Sequence, residues 1–377
     1  MTESAARSPD RLQTSSSQGT HTPSSLPAHH AVTRELVQQM PKVELHCHLD
    51  GSLRPETMLD LAAARGIALP QHEPEALRRY MCADNAGSLA EYLHRFDATI
   101  ALLQTEEALE RVAYELVEDV ARENVRYIEV RNAPWLNVRG GLTLDQVMGA
   151  TLRGLSRGED EFGTTARFIV CSLRHWSPDV SLHMARVAVQ YAPHGVVGFD
   201  LAGGELGNPA SAHAEAFHYA RAHFLNVTCH AGEAEGAGSV IDAVTNCGAM
   251  RLGHGVRAGE DPALLNFLVD RQIPFELCPT SNVQTGAVPS YSAHPLREFF
   301  DRGAAVTINT DNRLISGTTL TDEYTHCAAQ LGFTFEDLRE CVENACRAAF
   351  LPLEDRVALL ESMADELDVL QMSLEED

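Results

Sequence analysis

The sequence predicts an α/β fold, a (β/α)8 TIM barrel with a helical insertion after the first strand and a C-terminal helix. Three observations carry this expectation. Eight short β-branched or apolar runs recur along the chain, and helix-length segments separate most of them. The runs are too uniformly apolar to alternate, as strands buried on both faces are. The length, 377 residues, suits one such barrel with insertions.

The elements follow in order. Residues 1–30 are rich in Ser, Thr, Pro and His and lack an apolar h-region, so we expect a disordered tail rather than a secretory signal. His29 and His30 fit a solvated tail. Residues 31–377 then form a single domain. The run KVELHCHL (42–49) is the first strand. The interval after it is much longer than the others and holds three helical patterns, RPETMLDLAAARG, SLAEYLHRFDATIALL and TEEALERVAYELVEDVARE. An insertion there lies on the C-terminal face of a barrel, where loops build and cover sites. The remaining strands are expected at 125–134, 166–173, 196–203, 226–233, 251–255, 274–282 and 304–312, with helices such as SLHMARVAVQYA and PALLNFLVDRQ between them. At the acidic C-terminus, Val357, Leu360, Met363, Leu367 and Leu370 recur at helical spacing, which predicts a helix docked outside the barrel that frays at its end.

Composition excludes several functions. A formal net charge of −24 argues against a nucleic-acid binder, which needs clustered Lys and Arg, and favours a small uncharged or cationic ligand. No apolar run reaches the length of a membrane span. Nine cysteines with no C-x-x-C pair read as reduced thiols of a cytoplasmic protein, so a metal here must be held by histidine and carboxylate. Lys42 is the sole lysine. A Schiff-base mechanism and a lysine-bridged pair of metals both need a lysine inside the barrel, so one metal is expected. The sequence specifies no oligomeric state.

The polar residues cluster where a barrel would use them. His46, His48, Gly203, His230, Glu233, His254, Asp311 and Asn312 all fall at the C-terminal ends of expected strands, which converge on one face. His46 and His48, at i and i+2, point to the same side of a strand. Imidazoles plus a carboxylate are the usual non-thiolate ligands of catalytic zinc. Singly, each signal is weak: Glu233 suits a helix's first turn and His254 a glycine-flanked turn. A mononuclear zinc barrel of this kind serves amide or lactone hydrolysis as readily as deamination.

The stretches PKVELHCHLDGSLRPET, DLAGGE, CHAGE, RLGHG, CPTSN and TINTDN, running from residue 41 to 312, resemble the adenosine deaminase family of metal-dependent amidohydrolases. The resemblance implies one Zn2+ bound by His46, His48, His230 and Asp311. It implies zinc-dependent hydrolytic deamination of adenosine and 2′-deoxyadenosine, a purine nucleoside losing its 6-amino group as ammonia. Glu233 would protonate purine N1, His254 would take a proton from the attacking water or hold it electrostatically, and Asp311 would orient that water. His48, Asp50, Gly203 and Asn312 are the expected substrate contacts, Asp50 at the ribose and the Gly203 N–H at purine N3.

One position departs from the family pattern. Well-known members carry Asp-Asp-Pro where this chain reads Asp311, Asn312, Arg313. Asn312 can still donate an amide N–H to purine N7. Arg313 is expected at the pocket mouth, there to meet an acidic or extended substrate group or to pair with a neighbouring carboxylate. Leu93 and Phe96 are candidates for a lid, and Trp135 for shaping the pocket or packing beneath that lid. Adenine, or an adenosine extended at the 5′ position such as aminodeoxyfutalosine, is the alternative substrate.

Overall fold

The structure, a computed structural model, describes residues 32–376 except Asn85. The expected tail over residues 1–30 lies outside the described residues. Val32–Asp377 is one compact unit.

Eight strands follow one another in sequence order: β1 (Lys42–His48), β2 (Val125–Asn132), β3 (Thr165–Leu173), β4 (Val196–Ala202), β5 (Asn226–Ala231), β6 (Arg251–His254), β7 (Phe275–Leu277) and β8 (Val306–Ile308). Every neighbouring pair is parallel. The ring closes just beyond β8. The Asp311 N–H donates to the His46 carbonyl at 2.9 Å and the His48 N–H donates to the Asp311 carbonyl at 2.7 Å. Closure of the barrel therefore itself carries Asp311 to the two histidines of β1.

Two expected strands are shorter than their sequence pattern. Of residues 274–282 only Phe275–Leu277 is strand, and Pro279–Gln284 is a short helix. Pro279 stands at the first helical turn, where its fixed φ and missing N–H cost nothing. Of residues 304–312 only Val306–Ile308 stays in the ladder, and Asp311 turns out of it at φ +61°.

The insertion after β1 is helical, as the pattern requires. Pro55–Arg65 starts on a proline and ends on Gly66 in the left-handed region. Glu106–Ala121 is capped by Thr105, whose Oγ1 accepts from the Ala108 N–H at 3.2 Å. The middle pattern, expected as one piece, is broken into Leu89–Leu93 and Phe96–Leu102. The C-terminal helix, Leu353–Glu376, buries Met363 and Leu367 and leaves Val357 exposed, so only part of its apolar stripe docks. Among the described residues no helix is long and apolar enough to cross a membrane. All nine cysteines are unpaired.

Charged side chains cross the interior of the barrel. Arg251 of β6 donates to Glu129 of β2 at 2.5 Å and to Glu276 of β7 at 2.6 Å, with Phe350 stacked 3.5 Å from its guanidinium. Arg131 of β2 reaches Asp200 of β4 at 3.0 Å and Glu276 at 2.9 Å. All five charged residues are buried, and each carboxylate is matched by an arginine, as burial of charge demands.

Candidate active site

The site sits at the C-terminal ends of the strands, on the floor of a cavity of about 240 Å³. His46 and His48 project from β1, His230 from β5, His254 ends β6, and Asp311 follows β8. His46 Nε2 and His48 Nε2 each lie 3.4 Å from Asp311 Oδ1, and His48 Nε2 is 3.2 Å from His230 Nε2. His46 Nε2 is buried with no hydrogen-bond partner. Donor atoms this close, one of them orphaned, fit a single metal ion.

One set of four donors, mutually within 4.8 Å, is His46, His230, His254 and Asp311, with His254 in the place expected for His48. Hydrogen bonding separates the two histidines. The Asn282 amide oxygen accepts from the Cys278 N–H at 3.3 Å and faces His294 Nε2 at 3.1 Å, so its NH2 donates to His254 Nδ1 at 2.9 Å. Burial holds His254 well below the usual histidine range. A neutral ring accepting at Nδ1 carries its proton on Nε2, which lies 3.7 Å from Glu233 Oε2. His254 thus presents a donor to the site, whereas His48 Nε2 faces two of the other donor atoms.

Two of the histidines are aimed from behind. His46 Nδ1 donates to Glu276 at 2.9 Å, and His230 Nδ1 donates to Asp200 at 3.0 Å. Each bond fixes a tautomer with Nε2 free toward the cluster. Burial opposes ionisation of Asp200 and Glu276. Asp200 is nevertheless held well below the carboxylate range by His230 and Arg131, and Glu276 by Arg131 and Arg251. Burial lowers His230 and His48 below the usual histidine range, leaving their lone pairs available.

Two residues here hold backbone angles that L side chains avoid, His254 and Asp311, both at φ +61°. Glycines explain the packing around them. A Cβ on Gly253 would stand 3.0 Å from His230 Cα and 3.1 Å from the His46 ring, so RLGHG needs that glycine for the histidines to pack. At Gly203 the requirement is the backbone itself, at φ +87°, since a Cβ would meet nothing closer than 3.5 Å.

The carboxylates divide into two kinds. Asp311 is held low because His46, His48 and His254 outweigh the effect of burial, and its Oδ2 accepts from Ser281 Oγ at 2.6 Å. Glu233 is raised well above the usual range by burial and then by the carboxylates of Asp311 and Glu205. Two carboxyls of one cavity pushed in opposite directions are an acid–base arrangement.

Sequence reasoning missed the residues that hold these groups. Glu205 accepts from the N–H groups of Gly232, Glu233, Ala234 and Glu235 at 2.6–3.0 Å and from Ser239 Oγ at 2.5 Å, fixing the loop that carries Glu233. Ser281 and Asn282 reach Asp311 and His254 because residues 279–284 are helical rather than extended. The available signal was a set of charged residues, Arg131, Asp200 and Glu276, inside otherwise apolar strands.

His48, Asp50, Gly203, His230, Glu233, His254, Asp311 and Asn312 all line the cavity. Asp50 Oδ1 and Asn312 Oδ1 are buried without partners. Leu93 and Phe96 line it too, joined by Leu89 and Tyr92. Arg313 does not: it is half-buried, pairs with Glu123, and leaves the mouth to other groups. Of the two roles expected for it, the carboxylate pair is the one observed. Trp135 also lies outside the lining and packs edge-on against His183, 5.8 Å between ring centres. Lys42 is at the far end of β1, its Nζ donating to the carbonyls of Val37 and Met40 at 2.6 and 2.8 Å.

The adenosine deaminase family profile matches residues 41–366. An adenosine deaminase of Mycobacterium avium is 42% identical over 351 residues, covering 87% of this chain and 95% of that one. Among solved structures, an adenine deaminase of Arthrobacter aurescens superposes with a TM-score of 0.81 at 29% identity, covering 87% of this chain and 99% of that chain. A zinc-bound amidohydrolase of Burkholderia ambifaria superposes at 0.84 with 28% identity over 95% and 98% of the two chains. An Arabidopsis N6-methyl-AMP deaminase gives 0.78 at 27% identity over 88% and 99%.

Proposed function

Because this chain belongs to the adenosine deaminase family, we propose that it hydrolyses adenosine and 2′-deoxyadenosine to the 6-oxo nucleoside and ammonia. The observation that carries this reading is that one cavity is lined by His48, His230, His254 and Asp311 together with Glu233, Gly203, Asn312 and Asp50.

His46, His48, His230 and Asp311 would hold one zinc ion. His48 is preferred to His254 because His254 turns an N–H toward the site and is tied to Asn282 and Glu233. Bound zinc supplies the Lewis acidity that makes water nucleophilic near neutral pH.

The remaining work belongs to the protein. Glu233, kept protonated by burial, gives its proton to purine N1 and makes C6 electrophilic. His254 holds the attacking oxygen through its Nε2–H rather than taking a proton from it. Asp311, ionised and tethered by Ser281, orients that oxygen and is the nearby acceptor for its proton. Asn312 faces purine N7 and the Gly203 N–H faces N3. The buried, unpartnered Asp50 Oδ1 supports a ribose contact, which favours a nucleoside over free adenine.

The test is loss of the 6-amino chromophore with stoichiometric ammonia release, run on adenosine, 2′-deoxyadenosine and adenine. Turnover of adenine far above adenosine would overturn the nucleoside assignment.

A further inference from the structure

The short helix Leu89–Leu93 carries one polar atom that an apolar cavity wall does not need. Its lining residues Leu89 and Leu93 are purely apolar, whereas Tyr92 ends in a hydroxyl. Tyr92 is 1% exposed, and its ring packs with Ala83 and Ile315. A buried phenol oxygen requires a partner, and this one has Ser316 Oγ at 2.7 Å.

Ser316 belongs to the turn after β8 that carries Asn312. Its N–H donates to the Asn312 carbonyl at 2.8 Å, and its own carbonyl accepts from Gln284 Nε2 at 3.0 Å. Other bonds already tie the segment before Tyr92 to this region. The Ala83 N–H donates to the Ile315 carbonyl at 2.8 Å, and the Gly87 N–H to the Gln284 carbonyl at 2.9 Å. Gln284 Nε2 also donates to Asp84 Oδ1 at 3.0 Å. Anchoring of the segment therefore does not depend on the Tyr92 hydroxyl.

The side chains around that hydroxyl point to a different use. Burial, and then the charge of Asp311, holds the phenol well above its usual range, while Ser316, Asn312 and Ser281 pull the other way. Ser281 is the residue that tethers Asp311. The Asn312 side chain has no hydrogen bond of ordinary length among the described residues. Its Oδ1 is buried without a partner and is the atom of that side chain nearest Gly51. The NH2 branch is thus left for the phenol oxygen and the ligand. The two N–H bonds of an amide are coplanar and diverge, so fixing one fixes the other.

We propose that Tyr92 is a positioning residue for purine recognition: its hydroxyl, anchored on Ser316, receives one N–H of the Asn312 amide and aims the other at N7. This rests on the deaminase reading and names what orients one contact of that site. Tyr92 then sets the selectivity for a base with a lone pair at N7 over one without it.

The experiment uses inosine and 7-deazainosine, which differ in N7 against C–H, as competitive inhibitors of adenosine deamination. Inhibition constants are measured for the wild type, Tyr92→Phe, Ser316→Ala, Asn312→Ala and the double variant Tyr92→Phe/Asn312→Ala. Circular dichroism and metal content check folding. The wild type should bind inosine about ten-fold more tightly than 7-deazainosine, the size of one hydrogen bond. Tyr92→Phe and Ser316→Ala should each bring the ratio most of the way to one, and Asn312→Ala should bring it there. The double variant should match Asn312→Ala, because both residues act through one contact. A hydroxyl that only braces the helix would weaken both inhibitors alike and leave the ratio where it was. A wild-type ratio near one, or a wild-type ratio retained in folded Tyr92→Phe or Ser316→Ala, overturns the positioning role and leaves the deaminase reading standing. No turnover of adenosine by the wild type overturns both.

Discussion

Gly51 lies directly beneath the side chain of Asn312, so close that a Cβ on Gly51 would stand 1.8 Å from Asn312 Oδ1. The contact joins the turn after β1 to the turn after β8, and the Gly51 carbonyl accepts from the Leu314 N–H at 2.9 Å to hold them together. The glycine of HLDGS is therefore a requirement of the residue proposed to face purine N7. Any side chain at 51 must push that amide away.

Gly51→Ala should raise KM and lower kcat/KM about 10- to 100-fold, the value of one well-made hydrogen bond to substrate. Asn312→Ala should do the same. If the two act through one contact, the double variant is no worse than the poorer single. Multiplying losses in steady-state kinetics would show that Gly51 acts elsewhere.

Glu233→Gln retains shape and removes the proton. Deaminase turnover should fall about 10²–10⁴-fold, with metal content and circular dichroism unchanged. A variant of near wild-type activity would remove Glu233 from the proton path.

Dialysis against a chelator should abolish activity, and about one equivalent of zinc per chain should restore it. Metal analysis of the purified protein finding two ions per chain, or none, would contradict the proposed ligand set. The sole lysine is buried at the opposite end of β1 and cannot bridge a second ion.

Arg131 is the single link between the carboxylates that aim His230 and His46. Arg131→Met leaves the buried Asp200 without an arginine and Glu276 with Arg251 alone. Unfolding in denaturant should show a loss of about 3–5 kcal/mol, and zinc affinity should drop about 10- to 100-fold as the histidines lose their orientation. Stability within experimental error of wild type would mean that Asp200 and Glu276 find other partners.

Lys42 gives a pH signature separable from catalysis. Burial lowers its pKa to about 7, against a smaller opposing pull from Glu123. Between pH 7 and the ordinary lysine range near 10.4 the unfolded chain binds a proton that the folded chain does not, so this residue's contribution to stability rises with pH across that window. Denaturant melts should show that slope in the wild type and not in Lys42→Met. Parallel pH profiles for the two proteins would place Lys42 in contact with solvent.

The strands of the barrel were legible because each is a local pattern, an apolar run ending in a polar residue. His46, His48, His230, Glu233 and His254 were found for the same reason: a parallel barrel puts every strand's C-terminal end on one face, whatever the sequence distance. Residues 278–282 were misjudged as strand because a short apolar run ending in polar residues reads alike in both states, and only Pro279 hinted at a helix start.

By itself, then, the sequence determined the fold class, the histidine–aspartate cluster that could hold a metal and the position of Glu233 beside it, all properties of local spacing multiplied by barrel symmetry. Tertiary structure decided the partners. Arg313 turned away from the cavity to Glu123, 190 residues earlier in the chain. Glu205 gathered the Glu233 loop, and Arg131 joined the supports of two histidines across the barrel. Such pairings are set by which side chains burial forces together once the ring has closed. A buried charge must find its match among whatever closure brings within reach, and no spacing along the chain records that distance.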